Sequence, residues 1–210
     1  MRGLVYKDVA IFFKGIDKKL ILLVIGTNIL LMLNTGMYAG LFASIMLAMS
    51  VGMQTIMSFA IDEKADWKKY ELTMPVSAFY AVAGRYLSVV VTLAVSLLGS
   101  ALFNLIAAVG FGKFDGVVWG ISAAVSILIP MLWTGICLPL TYWFGCRSAQ
   151  TMGIFAVIPM FYFIKYFEDQ AGFSAMVSSL SSILLIASIV TVLVFLLSMG
   201  VSTLGYARKR

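Results

Sequence analysis

Long apolar runs, separated by short charged stretches, constrain this chain more than any other feature of its sequence. Of its 210 residues, 62% are hydrophobic and 11% are charged, whereas a soluble domain carries about a quarter charged residues. A transmembrane helix needs about 20 apolar residues, so the length has room for roughly six such helices and for no soluble catalytic domain. We therefore predict an all-α polytopic membrane protein, with residues 1–210 forming a single transmembrane domain.

The apolar runs predict six spans and a helix before the first of them. The first run lacks a convincing small-residue cleavage site, so we expect a span there and not a signal peptide. Residues 1–19 alternate basic and apolar side chains, which is typical of a helix lying in the membrane interface with its lysines toward anionic lipid headgroups. The alternative is a soluble stub. The predicted spans lie at about 20–33, 38–61, 78–109, 116–144, 149–166 and 183–206.

Basic residues indicate how these spans are oriented. Six spans place both termini on one side of the membrane, and of the 15 lysines and arginines only Lys113 and Lys165 lie on the other side. Cytoplasmic loops are the ones enriched in lysine and arginine, so both termini are predicted to be cytoplasmic. This sidedness accounts for the net charge of +6 without any nucleic-acid partner.

The charged stretch at 62–77, between the second and third predicted spans, is the longest of its kind in the chain. On a helix, Glu63, Trp67, Tyr70 and Met74 share one face, because they are four, three and four residues apart. Pro75 ends the element. The pattern predicts a short amphipathic helix on the cytoplasmic side, and it leaves two alternatives open: a helix in the headgroup layer, or one that docks into a soluble partner.

The sequence lacks the residues that common catalytic sites and metal sites need. The chain has no histidine, the commonest general base and metal ligand. It also lacks paired acids within the spans, a G-x-S-x-G motif and any base to activate Cys137 or Cys146, so we expect no catalytic site and no metal site. Cys137 lies inside an apolar run and Cys146 at the end of one, which argues against a disulfide framework.

No energy source is apparent within the chain either. There is no G-x-x-x-x-G-K-[ST] loop for ATP, and no ionisable residue near mid-membrane of the kind that binds a coupling ion. If the protein does work, the energy must come from a partner. The stretch at 62–77 is the one predicted cytoplasmic element large enough to receive it.

The sequence resembles a known family at particular residues. It is similar to the small six-span permeases of bacterial type-2 ABC exporters, a group that includes exporters of antimicrobial or amphipathic peptides such as the phenol-soluble modulin exporters. Other members of the wider group move drugs, polysaccharides or lipids, so the resemblance does not name a substrate. The matching residues are Lys7, Asp8, Asp62, Glu63, Lys64, Trp67, Tyr70, Met74, Pro75, Val76, Ser77, Arg85, Tyr86 and Leu87.

That resemblance implies partners and a location. Two permease subunits, identical or different, would pair in the bacterial cytoplasmic membrane. Each would bind a cytoplasmic ABC ATPase through the short helix after the second span, and the ATPase would hold the ATP and Mg, so that this chain needs no cofactor. The residues expected to dock with the ATPase are Glu63, Lys64, Trp67, Lys68, Tyr70, Glu71 and Met74.

Two rows of side chains, each on one face of a predicted span, are candidates for contact with the substrate or with a second permease subunit; we call them stripes. Methionine is flexible and polarisable and suits surfaces that accept varied apolar partners. In the family that this chain resembles, the second and fifth spans flank the subunit interface and the transport path, so each stripe is a candidate for that role; ordinary helix packing is the alternative. The stripes are Met46, Met49, Met53 and Met57 in the second span, and Thr151, Phe155, Tyr162 and Tyr166 in the fifth.

From these observations we expect the permease subunit of an ATP-driven exporter. It would move an apolar or amphipathic substrate, such as a peptide, out of the cell by alternating access. The alternative belongs to another functional class: a membrane interaction or sensor protein that recruits a cytoplasmic partner and transports nothing.

Overall fold

A computed structural model describes residues 2–16, 25–26, 39–73, 76–111, 115–148, 151 and 180–208. Most of these residues are helical, and no strand occurs among them. The helices are α1 (Arg2–Gly15), α2 (Ala39–Lys64), α3 (Trp67–Thr73), α4 (Ala78–Phe111), α5 (Gly116–Phe144) and α6 (Leu180–Arg208).

Four of these helices are long and apolar enough to cross a membrane. They are α2, α4, α5 and α6, which correspond to the second, third, fourth and sixth predicted spans. The prediction of an all-α multi-pass membrane protein is thereby confirmed. The first and fifth predicted spans lie almost entirely outside the described residues, so the total of six stays a prediction.

Small and polar side chains at four-residue intervals bring three of the spans together. Residues four apart lie on one face of a helix, and small side chains on that face let two backbones approach closely. The backbones of α2 and α4 are very close at Gly40, where an added Cβ would lie 2.6 Å from Oδ1 and 3.0 Å from Cα of Asn104 on α4. The stripes are Gly40, Ser44, Ala48 and Gly52 on α2; Ser88, Thr92, Ser96, Ser100 and Asn104 on α4; and Ser122, Ser126, Pro130 and Thr134 on α5.

An apolar core lies between α4, α5 and α6. Leu138 of α5 and Val82 and Val89 of α4 are almost completely buried. Tyr86 of α4 packs its ring edge-on against Phe195 of α6, with centroids 5.0 Å apart. Its hydroxyl is 2.6 Å from Oγ of Ser198 on the same helix, so the buried phenol has a polar partner, as buried tyrosines usually do.

Helix α5 has a capping residue at each end. Asp115 precedes it, and its carboxylate accepts a hydrogen bond from the backbone N–H of Val117 at 2.9 Å, the usual role of an N-cap aspartate. At the other end Gly145 has φ 89°, a conformation that favours glycine, and its N–H donates to the carbonyl of Thr141.

The short helix after the second span differs in its bounds from the predicted segment 62–77. Asp62, Glu63 and Lys64 form the end of α2, and a turn at Ala65 and Asp66 separates them from α3. Asp66 has φ 52°, in the left-handed region that aspartate tolerates better than most residues. The single helical face predicted for Glu63, Trp67, Tyr70 and Met74 is therefore wrong for Glu63, and Met74 lies outside the described residues.

Candidate functional site

Four charged side chains from three helices meet in a buried cluster at one end of the bundle. They are Lys7 and Asp8 of α1, Asp62 near the end of α2, and Arg85 in the second turn of α4; we call this group the buried charge cluster. Asp8 is 5%, Arg85 7% and Asp62 9% exposed. Two acids and two bases balance, so the cluster carries no net formal charge.

Each charge in the cluster has an oppositely charged partner. Arg85 donates from Nη1 to Oδ1 of Asp8 at 2.7 Å and from Nη2 to Oδ2 of Asp62. Lys7 Nζ lies 2.9 Å from Oδ1 and 2.8 Å from Oδ2 of Asp62, and 3.4 Å from Oδ1 of Asp8. Ser88, one turn along α4 from Arg85, donates to Oδ2 of Asp8 at 3.4 Å. The arginine therefore links the amino-terminal helix to the end of α2.

Aromatic rings cover the two bases. The guanidinium of Arg85 lies 4.4 Å from the ring centroid of Phe59, one turn before Asp62 on α2. Lys7 Nζ lies 4.2 Å from the ring centroid of Trp67, the first residue of α3. Both distances are within the range of cation–π attraction. Trp67 thus joins α3 to the cluster through α1.

Because the cluster is buried, each of its charges depends on an oppositely charged partner. Because water is excluded, removing one partner leaves an uncompensated charge and costs about 3–5 kcal/mol, although the intact cluster need not stabilise the fold by that amount. Burial also raises the pKa of the Asp8 carboxyl above its ordinary value, and the positive charges of Arg85 and Lys7 oppose that shift. The arrangement holds α1, α2 and α4 in one relative position.

A second connection joins the end of α2 to the end of α5. Oε2 of Glu63 accepts a hydrogen bond from the backbone N–H of Cys146 at 3.1 Å. A Cβ at Gly145 would lie 3.1 Å from Oε1 of the same carboxylate, so glycine serves both the backbone conformation and the close approach there. The last turn of α2 is therefore fixed to α4 through Asp62 and to the residues after α5 through Glu63.

Between these contacts lies a cavity of about 220 Å³. Its wall includes the carboxylates of Asp62, Glu63, Asp66 and Glu71, the guanidinium of Arg85, and aromatic side chains of α2, α3, α5 and α6. Burial raises the pKa of the Glu71 carboxyl above its ordinary value, and the nearby acids Asp62 and Asp8 raise it further, whereas Arg85 and Lys7 lower it. We call this space the carboxylate cavity.

Comparison with known protein families identifies the chain. A family model described as "ABC-2 family transporter protein" matches residues 3–207. The chain belongs to the ABC-2 transporter family. Comparisons with curated proteins and with solved structures gave no match. As an ABC-2 family protein it is a transmembrane permease component of an ABC transporter, which implies association with an ABC ATPase, and the family is not typically catalytic.

In this ABC-2 protein, the residues predicted to dock with the ATPase are distributed over two surfaces. Tyr70 of α3 is 64% exposed, and Lys64 at the end of α2 is exposed as well. Trp67 is half-buried against Lys7, and Glu71 is half-buried in the wall of the carboxylate cavity. The side chain of Lys68 is outside the described part of the structure, as is Met74.

The methionine stripe of the second span lies on the outer face of α2. Its inner face, which includes Ala48, Val51 and Thr55, packs toward α4 and α5, so the methionines point away from the described bundle. Of the aromatic stripe, Thr151 is exposed and bonds to carbonyls of its own helical turn, while Phe155, Tyr162 and Tyr166 lie outside the described residues. The exposed fractions are 51% for Met46, 52% for Met49, 62% for Met53 and 49% for Met57.

Sequence analysis missed the pairing within the buried charge cluster. It singled out Lys7, Asp8, Asp62 and Arg85 separately, but 77 positions separate Asp8 from Arg85, and no periodicity in one sequence connects them. A signal was present nonetheless: Arg85 lies within a long apolar helix, and a charge in such a place needs a partner.

Sequence analysis also missed a network of neutral polar side chains inside the bundle. Ser44 of α2 and Ser100 of α4 have their hydroxyls 2.8 Å apart. Asn104 Nδ2 donates to Ser44 Oγ at 3.2 Å, and its Oδ1 accepts from Ser122 Oγ of α5 at 3.2 Å. Such bonds between helices stabilise membrane bundles by about 0.6–2 kcal/mol each. The four-residue spacing from Ser88 to Asn104 could have revealed this face.

Proposed function

We propose that this chain is the six-span permease subunit of an ABC exporter in the bacterial cytoplasmic membrane, with both termini cytoplasmic and α3 as its coupling helix. The observation that carries the proposal is the buried charge cluster. It connects α1, the end of α2 and the start of α4, and Trp67 attaches α3 to the same group. A displacement of α3 by the ATPase would therefore act on three helices at once.

Because the connections before and after α3 are short, a displacement of α3 would be transmitted to α2 and α4. Only Ala65 and Asp66 lie between α2 and α3, and four residues lie between α3 and the first residue of α4. Because α2 and α4 are both membrane-spanning by length and composition, a movement of α3 is applied directly to the ends of two spans. This is the geometry that alternating access by rigid movement of a bundle needs.

We further propose that two such permeases pair, as a homodimer or a heterodimer, and move an apolar or amphipathic substrate such as a peptide. The outward methionine face of α2, about half exposed over three turns, supports a contact with the second permease or with the substrate. Methionine adapts to differently shaped apolar partners. Lipid contact is the competing explanation for that face.

The proposal is tested by reconstituting the chain with its ATPase in liposomes. ATP hydrolysis should depend on the presence of the permease, and should respond to an amphipathic peptide added on the ATPase side. Asp62→Asn, which weakens both the Arg85 and Lys7 contacts, should uncouple hydrolysis from the peptide even where the ATPase remains bound. An ATPase that binds but hydrolyses ATP at the same rate with and without the chain would favour the sensor alternative and contradict the proposal.

A further inference from the structure

The backbone carbonyl of Ser126, in the middle of α5, lacks its usual helical partner. In an α-helix such a carbonyl accepts a hydrogen bond from the N–H of the residue four positions later. That residue is Pro130, and proline has no N–H. Ser126 and Pro130 are both almost completely buried. Because an unpaired buried carbonyl is costly, this one needs a donor from elsewhere in the bundle.

Ser96 of α4 supplies that donor. Its hydroxyl donates to the carbonyl of Ser126 at 2.8 Å, and the bond is buried. A serine hydroxyl within a helix can bond to its own helix instead, as Ser88 does to the carbonyl of Gly84 one turn back. Ser96 crosses to the neighbouring helix at the level where a proline has freed a carbonyl. The bond therefore replaces, from α4, the hydrogen bond that Pro130 removes from α5.

The same proline gives α5 a place to bend. The ring of a proline inside a helix clashes with the carbonyl four residues back, and prolines are among the usual sites of helix kinks. Helix α2 packs directly on this position, because a Cβ at Gly52 would lie 3.4 Å from Cα of Pro130. The region from Ser126 to Pro130 is therefore contacted by α4 through Ser96 and by α2 through Gly52.

The two halves of α5 are attached to different parts of the bundle. In the half before Pro130, the hydroxyl of Ser122 donates to Oδ1 of Asn104 on α4 at 3.2 Å. The half after Pro130 leads to Cys146, whose backbone N–H donates to Glu63 at the end of α2, close to the start of α3. A movement of α3 would therefore act on the second half of α5, and a bend at Pro130 would let the first half keep its contacts.

We propose that α5 bends at Ser126–Pro130 during transport, and that Ser96 is the positioning residue that holds this hinge in the conformation described above. The inference rests on the proposed function, because it takes the ATPase to drive the movement of α3. While Ser96 is bonded to Ser126, the two halves of α5 move together; once the bond breaks, they turn independently. Alternating access then uses a discrete hinge inside the bundle.

A double-mutant cycle on unfolding of the permease, without the ATPase, tests the bond. Ser96→Ala leaves the carbonyl of Ser126 unpaired and should raise the unfolding equilibrium constant about fivefold or more, measured by SDS titration in mixed micelles. Pro130→Ala and Pro130→Gly each restore an N–H at position 130. Adding Ser96→Ala to either variant should therefore change the constant by less than about twofold.

Ser100→Ala is the matched control for this cycle. The hydroxyl of Ser100 also crosses from α4 to a carbonyl of α5, that of Ser122, at 3.3 Å. The residue four positions after Ser122 is Ser126, whose N–H is the usual helical partner of that carbonyl. Pro130 takes no part in this pairing, so Ser100→Ala should have the same effect in all three backgrounds.

The same variants, reconstituted with the ATPase, test the bend. Pro130→Gly keeps a flexible position in the helix and should retain peptide-stimulated ATP hydrolysis. Pro130→Ala places a good helix former there, so this variant should bind the ATPase normally and lose most of the stimulation. Loss of stimulation in both variants would indicate that packing of the proline against Gly52 is what matters, and would contradict a hinge.

The outcomes separate this inference from the proposed function. A wild-type permease that leaves ATP hydrolysis unchanged contradicts the proposed function. Where the wild type does stimulate hydrolysis, two further results overturn the inference alone. One is an equal effect of Ser96→Ala on unfolding in wild type, Pro130→Ala and Pro130→Gly. The other is full stimulation of hydrolysis by Pro130→Ala.

Discussion

Arg85 and Asp8 lie 77 positions apart in sequence, yet Nη1 of the arginine donates a 2.7 Å hydrogen bond to Oδ1 of the aspartate. This contact fastens the amino-terminal helix to the second turn of α4. Asp62 accepts from the other nitrogen of the same guanidinium. The permease therefore has a rigid junction at the end where α3 begins, and the first prediction concerns that junction.

Removing Arg85 should destabilise the whole fold. Arg85→Ala leaves Asp8 with Lys7 as its one remaining cationic partner in the cluster, and an uncompensated buried charge costs about 3–5 kcal/mol. The protein should lose its cooperative thermal transition in detergent or show a much lower midpoint. Lys14→Ala is the control, because Lys14 is an exposed base on α1; it should change the midpoint little. Equal stability of the two variants would show that the cluster is dispensable.

The methionine face of α2 should tolerate leucine and reject lysine. Met49 and Met53 are 52% and 62% exposed, so two leucines preserve an apolar contact with a second permease or a substrate. Two lysines would place charge in that contact and should abolish peptide-stimulated ATP hydrolysis. Normal transport with both lysines would require this face to line a solvated space, contrary to the proposal.

Glu71 should make the stability of the permease depend on pH. Because burial raises its pKa in the folded protein, the folded state binds a proton that the unfolded state has already released. Its stabilising contribution is thus complete below the ordinary glutamate pKa and is lost as the pH rises through the raised value. Glu71→Gln should be at least as stable as wild type at neutral pH and less sensitive to pH, as measured by thermal unfolding in detergent.

The same residue should have the opposite effect on binding of the ATPase. Among the residues that the structure describes, Arg85, Lys7, Asp62 and Asp8 act on Glu71 by their charges. Glu71 is one of the residues predicted to dock with the ATPase, and acidification removes its negative charge, so the affinity of the wild-type permease for the ATPase should fall toward low pH. Glu71→Gln should reduce that fall. An affinity profile identical in both proteins would contradict a charged role for Glu71.

The orientation of the bundle is also testable. Ala65, in the turn before α3, and Gly116, at the start of α5, are exposed and lie at opposite ends of the spans. Cysteines placed there should react with membrane-impermeant maleimide from opposite sides of sealed cells, Gly116→Cys from outside. The two native cysteines are buried and give a low background. Labelling of Ala65→Cys from outside would overturn the predicted topology.

Much of the architecture could be predicted from the sequence because it depends on local pattern. Apolar runs of sufficient length predicted the positions of α2, α4, α5 and α6 to within a few residues. The charged stretch at 62–77, in which Pro75 ends the helix, predicted a short helix between two of them. The break at Asp66 was missed because nothing in the helical spacing from Glu63 to Trp67 forbids a continuous helix; it depends on the left-handed conformation of one residue.

The site could be predicted less well because it depends on contacts between distant segments. Trp67 was expected to dock with the ATPase because of its helical spacing together with the family resemblance, whereas the structure places its ring against Lys7. Helical periodicity assigns residues to a face but does not say what covers that face. Tyr70, three residues further on, is the aromatic residue of α3 that is mostly exposed.

Tyr70 therefore provides the most direct test of the central claim, that α3 docks with the ATPase. Because its side chain is 64% exposed, Tyr70→Ala should leave folding and membrane insertion intact. An aromatic anchor at a protein interface is worth about 2 kcal/mol or more, so the affinity for the ATPase should fall about thirtyfold. Trp67→Ala should lower both affinity and stability, because it also removes the contact with Lys7. Wild-type affinity for the ATPase in a well-folded Tyr70→Ala permease would contradict the account.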